Sequence, residues 1–197
     1  GILGATALGL ISPALGGTQR LITAPCAPAA AVLSAFAIEF MHQGAALEAF
    51  ASAYFHHLDA DDLVARTPED LLGALLSAWQ FGAERQPGTT RLRVISPSVA
   101  EHGWASRHTV IEVVNDDMPF LVDSTTMEIN RQGLSLHLIV HPVLVVQRDG
   151  QGQLQALHEL RAHEADPQAR RESWMHVEVD RLVDPQLRAE LAAGLER

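Results

Sequence analysis

The sequence contains no lysine, and all 14 of its basic residues are arginine. This absence excludes every mechanism that depends on a lysine amine, such as Schiff-base chemistry. The single cysteine, Cys26, excludes an internal disulfide and is typical of a protein from a reducing compartment. The formal net charge of −10 argues against a nucleic-acid partner, because phosphate binding requires concentrated positive charge.

Long uninterrupted apolar runs are also missing. The first 19 residues are uncharged but have no basic segment of the kind that opens a signal peptide, and Pro13 and Gly17 interrupt them. Pro25 and Pro28 break the next uncharged stretch, so neither stretch is predicted to cross a membrane. We therefore expect a soluble cytoplasmic protein, whose 47% hydrophobic content over 197 residues suffices for a sizeable core.

Local signals divide the chain into three predicted regions. Residues 1–27, rich in small residues, glycine and proline, are expected to form an irregular leader. Residues 28–90 are expected to form a helical module, in which Thr67-Pro68-Glu69-Asp70 is a strong helix opening with a cap, a proline and first-turn acids. Residues 91–197 are predicted to form an α/β sandwich domain, entered through a short strand at Leu92–Ile95.

The stretch Thr109–Gln147 is predicted to be a strand–helix–strand unit. Its first strand ends at Asn115, and Asp117 is the expected helix cap, with Met118 and Pro119 in the first turn. Gly133 is expected to end the helix in a left-handed conformation, and Pro142 to interrupt the second strand. The spacing also predicts one buried helix face, formed by Met118, Val122, Thr125 and Ile129.

The remaining elements complete a recognisable order. A hairpin turn at Asp149–Gly152 leads to a returning strand at Leu154–Leu160, a mobile charged loop at Arg161–Arg171, a strand at Trp174–Val183 and a helix opened by Asp184-Pro185. With one extra hairpin arm, this predicts an α+β, ferredoxin-like (βαββαβ) sandwich without its last strand. Because the sequence ends inside an amphipathic helix, we expect a C-terminally truncated domain that is part of a longer polypeptide.

Several of these segments resemble one family. The runs TVIEVVNDDMPFLVDSTTMEINRQGL…HLIVHPVL, ESWMHVEVDR, DADDLVARTPEDLLGALLSAWQF and LRVISPS…GW are similar to the amino-terminal region of the large bacterial NAD-specific glutamate dehydrogenases. The resemblance implies an ACT-like domain behind a helical portion, with the dehydrogenase machinery and its NAD further downstream. It also implies that the parent enzyme converts L-glutamate and NAD to 2-oxoglutarate, ammonium and NADH.

Catalysis itself is not expected in this stretch. No strand is followed by the G-x-G-x-x-G pattern of a dinucleotide fold, and the lysines that this activity uses are absent. We therefore predict no catalytic residue and no bound cofactor here. The predicted role is a regulatory and oligomerisation region that contacts the rest of the dehydrogenase chain and self-associates through its sheet.

The strand-to-helix turn resembles the ACT signature Asp-x-Pro-Gly-Leu-Leu, which presents N–H groups to an amino-acid carboxylate. The signature positions are matched by Asp117, Pro119 and Leu121. Phe120 stands where the signature has glycine, and its ring would either crowd a ligand or occupy the ligand's space as part of the packing. The resemblance implies an effector site formed by Asn115, Asp116, Asp117, Met118, Pro119 and Leu121. The alternative is a capped helix start in a purely structural interaction module.

Histidines offer a third hypothesis, a metal-dependent hydrolase. Five of them lie on segments that could neighbour one another: His137, His141, His158, His163 and His176. His158 and His163 are five residues apart instead of the four that place both rings on one helical face, so the metalloprotease pattern fails. We expect ordinary sheet-surface histidines and no metal.

Overall fold

The computed structural model describes residues 46–56, 58, 62, 66–158 and 169–197. The predicted leader, residues 28–45 of the predicted helical module and His163 lie outside these residues. The helices are α1 (46–55), α2 (Pro68–Gly82), α3 (Val99–His102), α4 (Leu121–Arg131) and α5 (Pro185–Leu195). The strands are β1 (Arg91–Ile95), β2 (Thr109–Asp116), β3 (Leu136–Val140), β4 (Val143–Arg148), β5 (Leu154–His158) and β6 (Ala169–Val179).

Two helices begin with the predicted caps. The Thr67 hydroxyl accepts a hydrogen bond from the Asp70 N–H at 3.2 Å, and Pro68 occupies the first turn of α2. Asp184 caps α5 in the same way through the Gln186 N–H at 2.8 Å. Each cap satisfies an N–H group that has no partner within its own helix, so these boundaries follow from local sequence.

The strands form one antiparallel sheet in the order β1-β2-β6-β4-β5, with β3 also paired to β6. β3 pairs with the last part of β6 and β4 with its first part, so the two act as one strand interrupted at His141 and Pro142. The predicted break at Pro142 is therefore confirmed. Since proline has no N–H to donate, it falls where the ladder is interrupted.

The α+β class, with helices preceding an antiparallel sheet, is confirmed. The finer prediction of a ferredoxin-like strand order is not confirmed: the central strands of the described sheet lie in the order β2, β6, β3/β4. One feature departs from the predicted order: the position beside β2 is held by β1, from the upstream part of the chain. β5, at the opposite edge, is the predicted extra hairpin arm. Leu92 and Val94 of β1 pack with the core beneath α5, which holds this strand in place.

The sheet is covered by helices on both faces. On one face, α4 and α5 pack on an apolar core that includes Ile111, Val113, Ile129, Met175, Val177, Val179 and Leu191. On the other, α1 and α2 pack on a core rich in aromatic side chains, among them Phe50, Tyr54, Trp79 and Trp174. Gly82 permits the closest approach there, because a Cβ at this position would lie 2.1 Å from the Trp174 ring.

Three local predictions are wrong. β6 begins at Ala169 and not at Trp174, so the last residues of the predicted loop Arg161–Arg171 are strand, whereas residues 161–168 are not described. Met118 is 52% exposed because α4 starts only at Leu121. The alternation of Leu134, Leu136, Leu138 and Val140 predicts one apolar strand face. A register shift in β3 between Leu136 and Leu138 instead leaves Leu136 at 38% exposure.

The β2–α4 turn as a candidate functional site

The predicted effector residues lie on the turn between β2 and α4. The predicted cap, Asp117, does not cap the helix: its carboxylate pairs with the Arg171 guanidinium at 2.8 Å, and its N–H donates to the Arg171 carbonyl at 3.0 Å. The early start of β6 places Arg171 beside the turn and so redirects Asp117. The cap position falls to Phe120, and no side chain of the described residues caps α4.

Phe120 adopts the backbone conformation that the glycine of the ACT signature would favour. Its φ of 69° is the left-handed region, which costs a non-glycine residue about 1–2 kcal/mol. Its ring is 74% exposed, so it neither fills the turn nor packs into a core. The glycine-type backbone is therefore retained despite the phenylalanine.

The polar side chains of the turn are held by neighbouring elements. Asp116 accepts from the buried Arg85 guanidinium at 2.6 Å, and Arg85 also donates to the Thr89 carbonyl at 2.7 Å. The Asn115 amide oxygen accepts from the Thr90 hydroxyl at 3.2 Å. Both acids of the turn thus already have a guanidinium partner, one from the end of α2 and one from β6.

A groove of about 620 Å³ opens beside the turn, between α4, the end of α5 and strands β1 and β2. Of the six predicted site residues, Asn115 and Leu121 line it, whereas the other four lie on the turn outside its lining. Its walls are partly apolar, with Leu92 and Met127, and partly polar, with Ser124. Ligand sites commonly have volumes of about 300–1,000 Å³, so a free amino acid fits this space.

Sequence reasoning missed a buried ionic cluster on the face beneath α1 and α2. Glu112, His176 and Glu178 are 1%, 2% and 0% exposed. His176 Nε2 lies 3.4 Å from Glu178 Oε1, and His176 Nδ1 lies 3.9 Å from Glu112 Oε1. Arg66 donates to Glu178 at 2.8 Å, and Arg93 donates to Glu112.

These contacts set the protonation of the cluster. Burial alone would lower the pKa of His176, but the carboxylates of Glu112 and Glu178 outweigh it and raise that pKa above its usual value. Burial alone would raise the pKa of both carboxyl groups, but His176 and the two guanidiniums hold each pKa below its usual range. The two carboxylates thus favour the imidazolium form of His176, and the imidazolium favours their ionised forms.

A second buried group joins α2 to the opposite end of β6. Glu172 accepts from Arg85 at 2.6 Å and from Arg148 at 2.8 Å, and the Trp174 indole donates to it at 3.0 Å. α2 is therefore fastened at both of its ends, through Arg66 to Glu178 and through Arg85 to Glu172. In the sequence, Glu172 and Glu178 alternate with apolar residues, as acids on a solvent-exposed strand face also do. Only the helices packed above them show that these two acids are buried.

The described members of the predicted histidine set, His137, His141, His158 and His176, do not converge on one site. His137 contacts Asp180 at 2.8 Å and stacks on His108 with ring centroids 4.1 Å apart, His141 contacts Ser173, and His158 lies 3.3 Å from Gln147. The expectation that all of them lie on the sheet surface is wrong for His176. Within the described ranges, no group of three or more His, Cys, Asp or Glu side chains is arranged to hold a metal ion.

Comparison with known proteins places this geometry in context. Residues 50–195 match the family model described as the glutamate dehydrogenase ACT1 domain. The NAD-specific glutamate dehydrogenase of Halomonas elongata is 40% identical over 153 residues, which cover 78% of this chain and 9% of that protein. The protein of the same name from Pseudomonas aeruginosa is 38% identical over 148 residues, covering 75% and 9%. No solved structure matches the chain.

The chain spans about 9% of the length of these curated relatives. In the part of the chain that the structure describes, no helix is both long and apolar enough to cross a bilayer.

Proposed function

Because the chain belongs to the family of the glutamate dehydrogenase ACT1 domain, we propose that it is the N-terminal regulatory and oligomerisation region of an NAD-dependent glutamate dehydrogenase. In this proposal the whole enzyme is cytoplasmic and oxidises L-glutamate with NAD to 2-oxoglutarate, ammonium and NADH. NAD and the catalytic groups belong to other parts of the enzyme. The chain contributes an ACT-like sandwich in which β1 takes the place of the last strand of the ferredoxin-like order.

The proposed effector is a free amino acid bound in the groove beside the β2–α4 turn. The observation that supports it most directly is the start of α4, which lies next to Asn115 and Leu121 and has no side-chain cap among the described residues. The first-turn N–H groups of a helix attract anions, so an α-carboxylate would bind there. The Asn115 amide supplies a further hydrogen-bonding group in the groove.

Self-association is proposed to use an edge of the sheet. Helices cover both faces, whereas β1 ends the strand order and has no further strand partner among the described residues. A second copy could therefore add to the sheet along Arg91–Ile95. Main-chain hydrogen bonds would provide the affinity of such a contact.

The alternative, a structural interaction module without a ligand, is favoured by the ion pairs of the turn. Asp116 and Asp117 already pair with Arg85 and Arg171, so neither carboxylate is available to an ammonium group without breaking a contact. In that case the turn serves to join α2, β2 and β6. The two hypotheses therefore differ in whether an amino acid stabilises the fold.

A thermal-shift screen against the twenty amino acids and 2-oxoglutarate distinguishes them. A ligand at about a hundred times its Kd adds about 2.7 kcal/mol, which raises the Tm of a chain of this size by about 5–10 °C. The effector site is supported if one ligand selectively raises the Tm and Asn115→Ala abolishes this rise. The matched variant Asn130→Ala, on the exposed end of α4, should retain it. A flat panel from a folded protein supports the structural module.

A further inference from the structure

The buried cluster of Glu112, His176 and Glu178 is not used by the proposed effector site. Glu178 pairs in register with Val110, near the start of β2, whereas the effector turn follows the other end of that strand. The cluster lies on the sheet face that α1 and α2 cover. Three ionisable side chains that are each almost fully buried are uncommon in a protein interior, and such groups persist only when they are paired.

His176 is at the centre of the contact between the helical layer and the sheet. Its ring lies 5.8 Å from the Tyr54 ring of α1, and its partner Glu178 holds Arg66, which precedes α2. Charged and titratable groups face this cluster from every element around it: Tyr54 of α1, Arg66, Arg93 of β1, His108, Glu112 of β2 and Glu178 of β6. His176 lies between the two carboxylates, while both arginines approach from the periphery.

Removal of the proton from His176 changes this balance. With the ring neutral, Glu178 keeps Arg66 and Glu112 keeps Arg93 as partners. What is lost is the cation between the two carboxylates and its attraction to both of them. His176 Nδ1 and Glu112 Oε1 already have no hydrogen-bond partner among the described residues. Beside them is a cavity of about 10 Å³, lined from the helical layer by Phe50 and Tyr54, which is about the space that one water molecule needs.

We propose that His176 is a proton-controlled latch, whose imidazolium form holds α1 and α2 on the sheet and whose neutral form releases them. The proton is the ligand of this site, and the response is conformational. In the neutral state the cluster gains water through the cavity between the layers, and the Arg66–Glu178 link weakens with it. The helical layer then opens from the sheet more often, against the apolar core and the Arg85–Glu172 pair that still hold it.

The direction of the pH dependence follows from linkage. The carboxylates raise the pKa of His176 in the closed state above the ordinary value of about 6.5 that it has when the layer opens. Between these two values the closed state holds one more proton than the open state. The closed state therefore loses stability as pH rises through that window, by at most about tenfold in the opening equilibrium per pH unit.

Hydrogen exchange of the 197-residue chain between pH 6 and 10 tests the latch, with rates corrected for intrinsic base catalysis. We expect protection of the α2 amides to fall by at most about tenfold per pH unit within the window, while α4 protection changes less. Trp79 and Trp174, whose rings are 6.3 Å apart between the layers, should become more accessible to acrylamide over the same range.

His176→Gln removes the titration and keeps a neutral polar side chain. We expect it to show lowered α2 protection already at pH 6, with no further loss across the window. The matched control, His158→Gln, changes a histidine of β5 outside the cluster and should follow the wild type. The proposal is overturned if His176→Gln retains the wild-type pH dependence, or if its α2 protection equals that of the wild type at every pH.

If His176→Gln does not fold, a second measurement on the wild-type chain tests the proposal. The imidazole resonances of His176 in the wild-type chain report its protonation directly by NMR. A midpoint above pH 6.5 that coincides with the loss of α2 protection supports the latch. A ring that is neutral at pH 6, or a midpoint unrelated to that loss, overturns it.

Discussion

The two faces of the sheet are built from the same alternating strands but are stabilised in different ways. Ile111 and Val113 of β2 point toward α4 and α5, where the buried cluster is made of apolar side chains. Glu112, between them, points toward α1 and α2, where carboxylates, guanidiniums and an imidazole are buried among aromatic rings. Apolar burial is non-directional and tolerates small displacements, whereas buried charges require every partner to be in place.

This comparison has a consequence for how the chain holds together. The α4–α5 face should lose stability in proportion to the apolar volume removed. The α1–α2 face should instead fail when one charge loses its partner, and its stability should depend on pH. Three predictions test this difference and a fourth tests the turn between β2 and α4; they follow in order of expected effect.

The largest effect is expected for Glu172→Ala. This change leaves the buried guanidiniums of Arg85 and Arg148 without their shared carboxylate, so we expect a loss of about 3–5 kcal/mol in the free energy of unfolding. Urea unfolding measures it. Glu101→Ala, at a side chain that is 75% exposed, should stay within about 0.5 kcal/mol of the wild type. A cost of Glu172→Ala equal to that of the control would show that the ionic group does not fasten α2.

Leu191→Ala tests the apolar face. The side chain is fully buried beneath α5, so its truncation should cost about 2–4 kcal/mol, and this cost should be the same at pH 5 and pH 8. Leu187→Ala, on the same helix but 46% exposed, should cost clearly less in the same urea experiment. A cost for Leu191→Ala that changes with pH would contradict the distinction between the faces.

Acid should act on the charged face first. Glu112 and Glu178 have pKa values below 4.5 in the folded state, because His176, Arg66 and Arg93 favour their ionised forms. Their contribution to stability is therefore present above about pH 4.5 and is lost as pH falls through the folded values, by at most about 1.4 kcal/mol per pH unit for each group.

Urea midpoints at pH 6, 4.5 and 3 measure this loss of stability at low pH, the acid limb of the stability profile. Glu178→Gln should flatten it, since the amide does not titrate, although the variant starts from a lower stability at pH 6. Leu191→Ala is the control, because it lowers the whole profile and leaves its slope unchanged. An acid limb that is equally steep in Glu178→Gln would exclude Glu178 as a source.

Phe120→Gly should have the smallest effect, and in the opposite direction. Relief of the left-handed backbone gains about 1–2 kcal/mol, while the added freedom of glycine in the unfolded chain costs about 0.5–1 kcal/mol. We expect a net stabilisation of up to about 1.5 kcal/mol by urea unfolding. Phe120→Ala keeps a Cβ in the left-handed region and should not be stabilised in this way. Destabilisation by both changes would show that the exposed ring contributes to the fold.

Much of the fold was predictable because its signals are local. The caps of α2 and α5, the left-handed Gly133 after α4 and the break at Pro142 each depend on a residue and its immediate neighbours. The strand alternation that puts Met175, Val177 and Val179 on one face was also predictable, since side chains alternate in any strand. The candidate site on the β2–α4 turn stays a prediction that rests on the resemblance of this turn to a known signature.

The details of that site were not predictable, for a physical reason. Asp117 has the composition of a helix cap, but Arg171 from a strand more than fifty residues away pairs with it. An ion pair between distant segments leaves no periodic trace in the sequence. The groove that Asn115 and Leu121 line likewise depends on where the end of α5 packs.

By itself, the sequence determined the elements, their caps, the apolar face beneath α4 and α5 and the family to which the chain belongs, because each rests on short-range pattern or on residue identity. The tertiary structure alone decided that β1 occupies the edge beside β2, that Phe120 takes a left-handed backbone and that His176 lies buried between two carboxylates. The same alternation of acidic and apolar residues suits a solvated or a covered strand face. Only the helices packed above it distinguish the two, because burial is a property of the assembled fold and not of the residue.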